Sequence, residues 1–305
     1  MFSIQTAASQ FLANLSGLEE RMAKTNVEVS SGLRVHTLSD DPDSVSEILQ
    51  LNAQIAANDQ IKTNVTRVQT EVNAAESAIN TAASLMDRAA QIAAQGSSTG
   101  SSVDRSQLAQ QIKDILGEMQ QLANSQVGGR FIFAGNADQT APYGPVDLAA
   151  NPTNGVGPYA GNASTRSVVD AYGIQISVSY TAQDVFDGGT TGTPSTSVFQ
   201  SLTEAYTALA NNDPTATSAA AADLKSAATY LDGQQALYGD IQGKLADALT
   251  SQGDLYTSLR AQLSNLQDAD MAEAVTQQQT DSTALTAAET AYSSMPKKSL
   301  FDYLA

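Results

Sequence analysis

Between Pro42 and Gln95 the chain has no further proline and no glycine, and an apolar residue recurs there at every third or fourth position: Val65, Val68, Val72, Ala75, Ile79, Ala82, Met86, Ala89 and Ala93. Alternating steps of three and four return a side chain to one face of an α-helix, whereas a strand would need steps of two. The stretch is expected as one unbroken helix, about 80 Å long. Its stripe is narrow and rich in alanine, so other helices have to cover it.

The same spacing returns after Asn212-Asp213-Pro214, through Leu224, Ala228, Leu231, Tyr238, Ile241, Leu245, Ala248, Leu255 and Leu259. It predicts a second very long helix, to about residue 266. Asp41 before Pro42 and Asp213 before Pro214 are the same starting device, an N-cap carboxylate followed by a proline whose missing N–H costs nothing in the first turn. Shorter helices are expected over 6–31, with Phe11, Leu15, Leu18, Met22, Thr25 and Val29 as its seam, and around 199–209. Another carries Leu108, Ile112, Ile115, Met119 and Leu122, opened by a capping box at Ser101 to Asp104 and stopped by Gly128-Gly129. A last helix opens at Asp268 or Asp270 and carries Met271, Val275, Leu285, Ala288 and Tyr292.

The segment 135–197 differs from these helices. Pro142, Pro145, Pro152, Pro158 and Pro194 fall within it, and Ile174, Ile176, Val178 and Tyr180 alternate with polar residues as in a half-buried strand. Just before it, Arg130 to Ala134 reads as a short apolar strand. The fold class is mainly α, with long antiparallel coiled-coil helices and a small inserted β-rich domain.

Composition removes several functions. With no Cys and a single His, His36, the chain cannot supply a thiol nucleophile, a Cys/His zinc site, a disulfide framework or a His-based triad. A net charge of -17 opposes nucleic-acid binding and adsorption to an anionic membrane. No run approaches the roughly 18 apolar residues of a membrane span, so no membrane insertion is expected. A cleaved signal peptide is not expected either, because the first basic residue is Arg21 and Gln5, Ser9, Gln10 and Asn14 interrupt the apolar segment it would need.

Acidic side chains are the remaining chemistry. Asp170, Asp184 and Asp187 are available for a carboxylate-based reaction, but loop aspartates commonly shape turns and nothing in the spacing sets two of them across a cleft. Asp40, Asp41 and Asp43 lack the glycine and bidentate glutamate of a calcium loop. Gly188-Gly189-Thr190-Thr191-Gly192 lacks the Lys-Ser/Thr of a phosphate loop. The reading is therefore non-enzymatic, with no catalytic residue, metal or cofactor.

Both chain ends carry bulky apolar residues, Phe2 and Ile4 at one and Leu300, Phe301 and Leu304 at the other. Chain ends are ordinarily polar and frayed. Either these groups are buried between subunits or they pack on one another within one monomer. The first alternative makes Phe2, Ile4, Phe11, Leu15, Leu18, Met22, Met271, Val275, Leu285, Tyr292, Leu300, Phe301 and Leu304 an assembly interface.

Ser30-Ser31-Gly32-Leu33-Arg34-Val35 followed by Ser39-Asp40-Asp41-Pro42 resembles the N-terminal element of the flagellin superfamily, and Ser299-Leu300-Phe301-Asp302-Tyr303-Leu304 resembles its C-terminus. Two details are more similar to the superfamily's hook–filament junction subunits than to its filament subunits. Asp40-Asp41-Pro42 stands where flagellins usually have Asp-Asp-Ala-Ala-Gly, and Arg130-Phe131-Ile132-Phe133-Ala134-Gly135 replaces an ending of the Phe-Asn-Gly type. The motif positions are Ser31, Gly32, Arg34, Asp40, Asp41, Pro42, Arg130, Phe133 and Gly135. Pro296 departs from the pattern, in which the helix continues.

The resemblance implies paired N- and C-terminal helices. The inner coiled-coil domain would comprise 1–41 and 267–305, the middle helical bundle 42–134 and 198–266, and the outer domain 135–197. It implies a secreted subunit of the bacterial flagellum, exported unfolded through the flagellar secretion channel and assembled as a ring. Another hook-associated protein and flagellin would be its neighbours, with an export chaperone on the C-terminal helix. A short flagellin that forms the filament is the alternative within the same superfamily.

Overall fold

The computed structural model describes residues 2–37, 39–98, 104–188 and 196–294; the side chains of 2–8 and 294 lie outside the description. The elements run α1 (Phe2–Ser31), α2 (Pro42–Gly96), α3 (Arg105–Ala123), β1 (Gln126–Val127), β2 (Arg130–Phe131), β3 (Ser167–Val169), β4 (Gln175–Ser177), α4 (Ala182–Phe186), α5 (Val198–Ala210), α6 (Pro214–Gln267) and α7 (Met271–Ser294). The chain is mainly helical with a small β-containing region, as the spacing predicts. It divides into two compact units, one of Met1–Ala57 with Tyr256–Ala305 and one of Asn58–Leu255.

Both long helices form without interruption, α2 over 55 residues and α6 over 54. Their starts use the expected caps. The Asp41 carboxylate accepts the Ser44 amide at 3.3 Å and hydroxyl at 2.8 Å, and Asp213 Oδ1 accepts the amides of Thr215 at 2.9 Å and Ala216 at 3.0 Å. For α3 the cap is Asp104, accepting from the Ser106 and Gln107 amides. The expected capping box from Ser101 falls on residues outside the description.

The core of the Asn58–Leu255 unit confirms the α2 stripe, which is buried from Val65 to Ala93. Ile112, Leu116 and Met119 of α3, Leu202 of α5, and Leu224, Leu231 and Leu245 of α6 belong to the same cluster. α3 lies against α5. Gly96 permits the close approach of α5 to the end of α2, because a Cβ there would run into the Leu209 side chain. The Arg105 guanidinium closes this corner, donating from Nε to the Gly96 carbonyl at 2.6 Å and from Nη1 to Asn212 Oδ1 at 2.7 Å.

The segment after α3 departs from expectation in detail. The helix ends at Ala123, C-capped by Asn124, earlier than Gly128-Gly129. Those glycines, at φ +60° and +77°, instead form the turn of a hairpin in which Gln126 faces Phe131 and Val127 faces Arg130. The strand expected over Arg130 to Ala134 is paired only at Arg130–Phe131. Ile132, Phe133 and Ala134 then turn inward and are buried. The alternating run predicts a strand at 174–180, and the ladder found is Gln175–Ser177 against Ser167–Val169, antiparallel. Apart from α4, most of the remaining described insert is turns and irregular chain, held to the helical core by Val178, Val185 and Phe186. Phe133 meets Phe186 edge-on at 5.5 Å, and Arg166 Nη1 reaches Glu71 of α2 at 2.7 Å.

Candidate assembly surface

Within the terminal unit, α1 packs against α7. Phe11, Leu15, Leu18, Met22, Thr25 and Val29, the seam read from the sequence, are all buried or half-buried, as are Gly17 and Glu28 beside it. On α7 the inward face is Ala274, Gln278, Asp281, Leu285 and Ala288, again at alternating steps of four and three. The pairing is antiparallel: Phe11 stacks on Tyr292 at 5.4 Å, Arg21 Nε lies 3.9 Å from Asp281 Oδ1, and Gln278 Nε2 donates to Asn26 Oδ1 at 2.5 Å.

The α7 stripe read from sequence therefore needs correction at its start. Met271 and Val275 are 44% and 47% exposed and lie off the seam, with Ala274 taking the inward position. Leu285 and Ala288 are half-buried on it. Tyr292 rests one ring face on Phe11 and keeps half its surface exposed. Sequence reasoning missed Gln278 and Asp281 because it followed apolar residues only; stepping back from Leu285 by four and then three would have found them. Phe2 and Ile4 lie in α1 with side chains outside the description, and Leu300, Phe301 and Leu304 lie outside it altogether.

Leu18 is 6% exposed in the single chain, so part of the terminal stripe is buried intramolecularly. What stays open is an outer set: Leu12, Val27, Met271, Val275 and the free side of Tyr292. These exposed apolar groups recur along both helices of the pair.

The corner leading into this pair is built by the motif residues. The Ser31 hydroxyl donates to the Val27 carbonyl at 2.6 Å and accepts the Leu33 amide, and Gly32 takes φ +74° where the helix ends. Leu33 bridges Asp268, the Arg34 amide donates to the Gln267 carbonyl at 2.7 Å, and the Ala269 amide donates to the Gly32 carbonyl at 2.9 Å. The Arg34 side chain donates to the Leu266 carbonyl at 2.7 Å and pairs with Asp41 at 3.2 Å. Asp40 accepts the Thr37 and His36 amides at 2.7 and 2.9 Å, which hold its carboxyl below the usual range; the Ser44 hydroxyl and then Arg34 do the same for Asp41. These aspartates serve the turn and the cap. Among the described residues no three His, Asp or Glu side chains gather as a cation site.

The second group of motif residues lies in the other unit. Arg130 pairs with Asp138, Nε to Oδ2 at 2.6 Å, and Phe133 is fully buried. Gly135 sits at φ +64°, where a Cβ would strike the Asn162 carbonyl oxygen.

The insert carboxylates are similarly occupied. Asp170 Oδ1 accepts the Tyr172 and Ile174 amides, and Asp184 completes a capping box with Thr181. Asp187 accepts the Tyr143 hydroxyl at 2.5 Å and the Ser197 hydroxyl at 3.4 Å. Burial raises the Asp187 carboxyl and, together with the Asp187 charge, the Tyr143 hydroxyl as well. Tyr143 is 2% exposed, so this pair ties two parts of the insert together beneath the surface.

Two family models match the chain: the bacterial flagellin N-terminal helical region over residues 2–138 and the bacterial flagellin C-terminal helical region over residues 222–304. The chain is 28% identical to flagellar hook-associated protein 3 of Escherichia coli (strain K12), with 98% of each chain aligned. It is 27% identical to the protein of the same name from Salmonella typhimurium, again over 98% of each. Among solved structures, that of a putative flagellar hook-associated protein from Vibrio parahaemolyticus shares the fold with a TM-score of 0.64 at 19% identity, over 75% of this chain and all of that one.

Proposed function

Because the chain belongs to the flagellin superfamily, with both of its terminal helical regions present, we propose that it is the non-catalytic subunit that self-assembles between the hook and the filament of a bacterial flagellum. The observation that carries this reading within the superfamily is the end-to-end alignment with two hook-associated proteins 3, which spans the insert as well as the helical regions. The structure supplies what such a subunit needs, a terminal helix pair whose outer apolar side chains have no cover in the single chain.

In this reading the chain is exported and then built into a ring. Residues 1–41 and 267–305 lie innermost, the helices of 42–134 and 198–266 form the middle layer, and 135–197 faces outward. Its axial neighbours are another hook-associated protein on one side and flagellin on the other, and an export chaperone covers the C-terminal helix before secretion. The exposed Leu12, Val27, Met271 and Val275 face neighbouring subunits, and the apolar chain-end residues Phe2, Ile4, Leu300, Phe301 and Leu304 take part in the same assembly.

Immunogold labelling of intact flagella with an antibody to the insert tests the assignment. A single cluster of gold where hook meets filament is the expected result. Label running along the filament would overturn it and identify a short flagellin.

A further inference from the structure

The terminal helix pair has a polar centre. Asp281 is 3% exposed between α1 and α7. Its Oδ1 accepts from Gln277 Nε2 at 3.1 Å and stands 3.9 Å from Arg21 Nε, while its Oδ2 has no hydrogen-bond partner among the described residues. Thr25, buried on the facing helix, turns its hydroxyl back to the Arg21 carbonyl at 3.0 Å and gives Asp281 nothing. The facing seam is apolar through Phe11, Leu15, Leu18 and Met22; α7 continues with Leu285 and Ala288 on one side of Asp281 and with the neutral Gln278, bonded to Asn26, on the other. A leucine at 281 would keep the spacing intact and leave no buried oxygen unsatisfied, so the aspartate costs stability where it stands.

Among the described residues of α1 and α7, Asp281 is the only buried charged side chain, and a buried charge discriminates between partners, because every arrangement that leaves it without its counterpart is penalised. Arg21 is that counterpart: only the observed antiparallel pairing sets a guanidinium at the edge of the seam beside Asp281. An α7 paired with a second α7 would bury two carboxylates together, and a pair displaced by one heptad would set Asn14 or Glu28 beside Asp281 in place of Arg21. The rest of the seam is apolar or neutral, Thr25 and Gln278 included, and penalises a mismatched pair less than a buried unpaired charge does. We propose that Asp281 is the specificity-determining residue of the terminal coiled coil, sacrificing stability to reserve α7 for an α1 that presents Arg21 when many copies are crowded at an assembling end. The inference stands whichever axial structure the subunit enters.

The absence of native cysteine makes the test direct. Leu18 and Leu285 lie one heptad in from the Phe11–Tyr292 contact, so Leu18→Cys with Leu285→Cys in the full chain reports the native pairing as an internal disulfide. The protein is refolded from denaturant at high concentration under oxidising conditions, and internal and intermolecular disulfides are counted on a non-reducing gel. Asp281→Leu in this background should raise the intermolecular fraction at least about threefold and raise the melting of the terminal helices by roughly 5 °C. Ser282→Leu, which adds the same bulk at an exposed neighbouring position, should leave the disulfide distribution as in the parent. If Asp281→Leu and the parent give the same distribution, or if Asp281→Leu melts below the parent, the proposal is overturned.

Discussion

Placing a carboxylate at two positions of the same helix separates burial within the chain from burial between chains. Leu18 and Leu12 both lie on α1, but Leu18 is 6% exposed against α7 and Leu12 is 54% exposed. For Leu18→Asp the lost apolar burial is about 2 kcal/mol. Seating a carboxylate in the remaining apolar site costs a further ~2–3 kcal/mol. The sum exceeds what one narrow seam holds, since paired helices of this length are marginal without their stripe. Leu12→Asp loses little in the free chain.

Trypsin reads the difference, because Arg21 and Lys24 lie on α1 while α7 contains no lysine or arginine. Cleavage at Arg21 and Lys24 should accelerate at least about a hundredfold in Leu18→Asp and stay within about twofold of wild type in Leu12→Asp. The Asn58–Leu255 fragment should survive in both, since its core is built from other residues. Both variants should fail to assemble, Leu18→Asp because the helix pair is lost and Leu12→Asp because its outer face is charged. Equal trypsin sensitivity of the two would refute the pairing described, and assembly of Leu12→Asp would refute the exposed face as an interface.

Other consequences follow from the same contacts. Gly135→Ala should destabilise the larger unit by about 2 kcal/mol or more, measured by urea unfolding, because the new Cβ meets the Asn162 carbonyl at a left-handed φ. Tyr143→Phe should cost about 1–3 kcal/mol in the same assay by removing the hydroxyl that Asp187 accepts. The Asp187 carboxyl is raised in the folded state, so the folded chain holds that proton more tightly than the unfolded chain; its contribution should therefore improve as pH falls through the raised value towards the ordinary 3.8, and Asp187→Asn should abolish that component of the pH dependence of melting. Arg34→Ala should loosen the corner at Leu33 and Asp268 and expose the 32–41 turn to proteolysis without altering the core of the larger unit.

Where a single periodicity extends over many residues, the fold was legible from sequence. The Val65 to Ala93 stripe, the α1 seam and the two Asp-Pro starts each appear as read, because a helix repeats its face every few residues and a proline tolerates few positions. Short signals were less decisive. Gly128-Gly129 marks a stop, but the same dipeptide closes a helix or turns a hairpin, and only the pairing partner at Gln126–Val127 decides between them. On α7, apolar residues on the exposed side compete with a seam half made of polar ones, so the inward face passes through Gln278 and Asp281 while Met271 and Val275 stay outside. Tyr143 and Asp187, 44 residues apart, carried no local pattern at all.

The most direct measurement of the central proposal is deletion of the gene followed by electron microscopy of the cell surface and assay of the culture medium for flagellin. A subunit that adapts hook to filament is needed before any filament subunit can add. The deletion strain should therefore carry hooks of normal length with no filaments, fail to swim, and release flagellin into the medium, and re-expression of the chain should restore all of these. A deletion strain that still grows filaments and swims would contradict the junction assignment and leave the chain as a minor filament subunit.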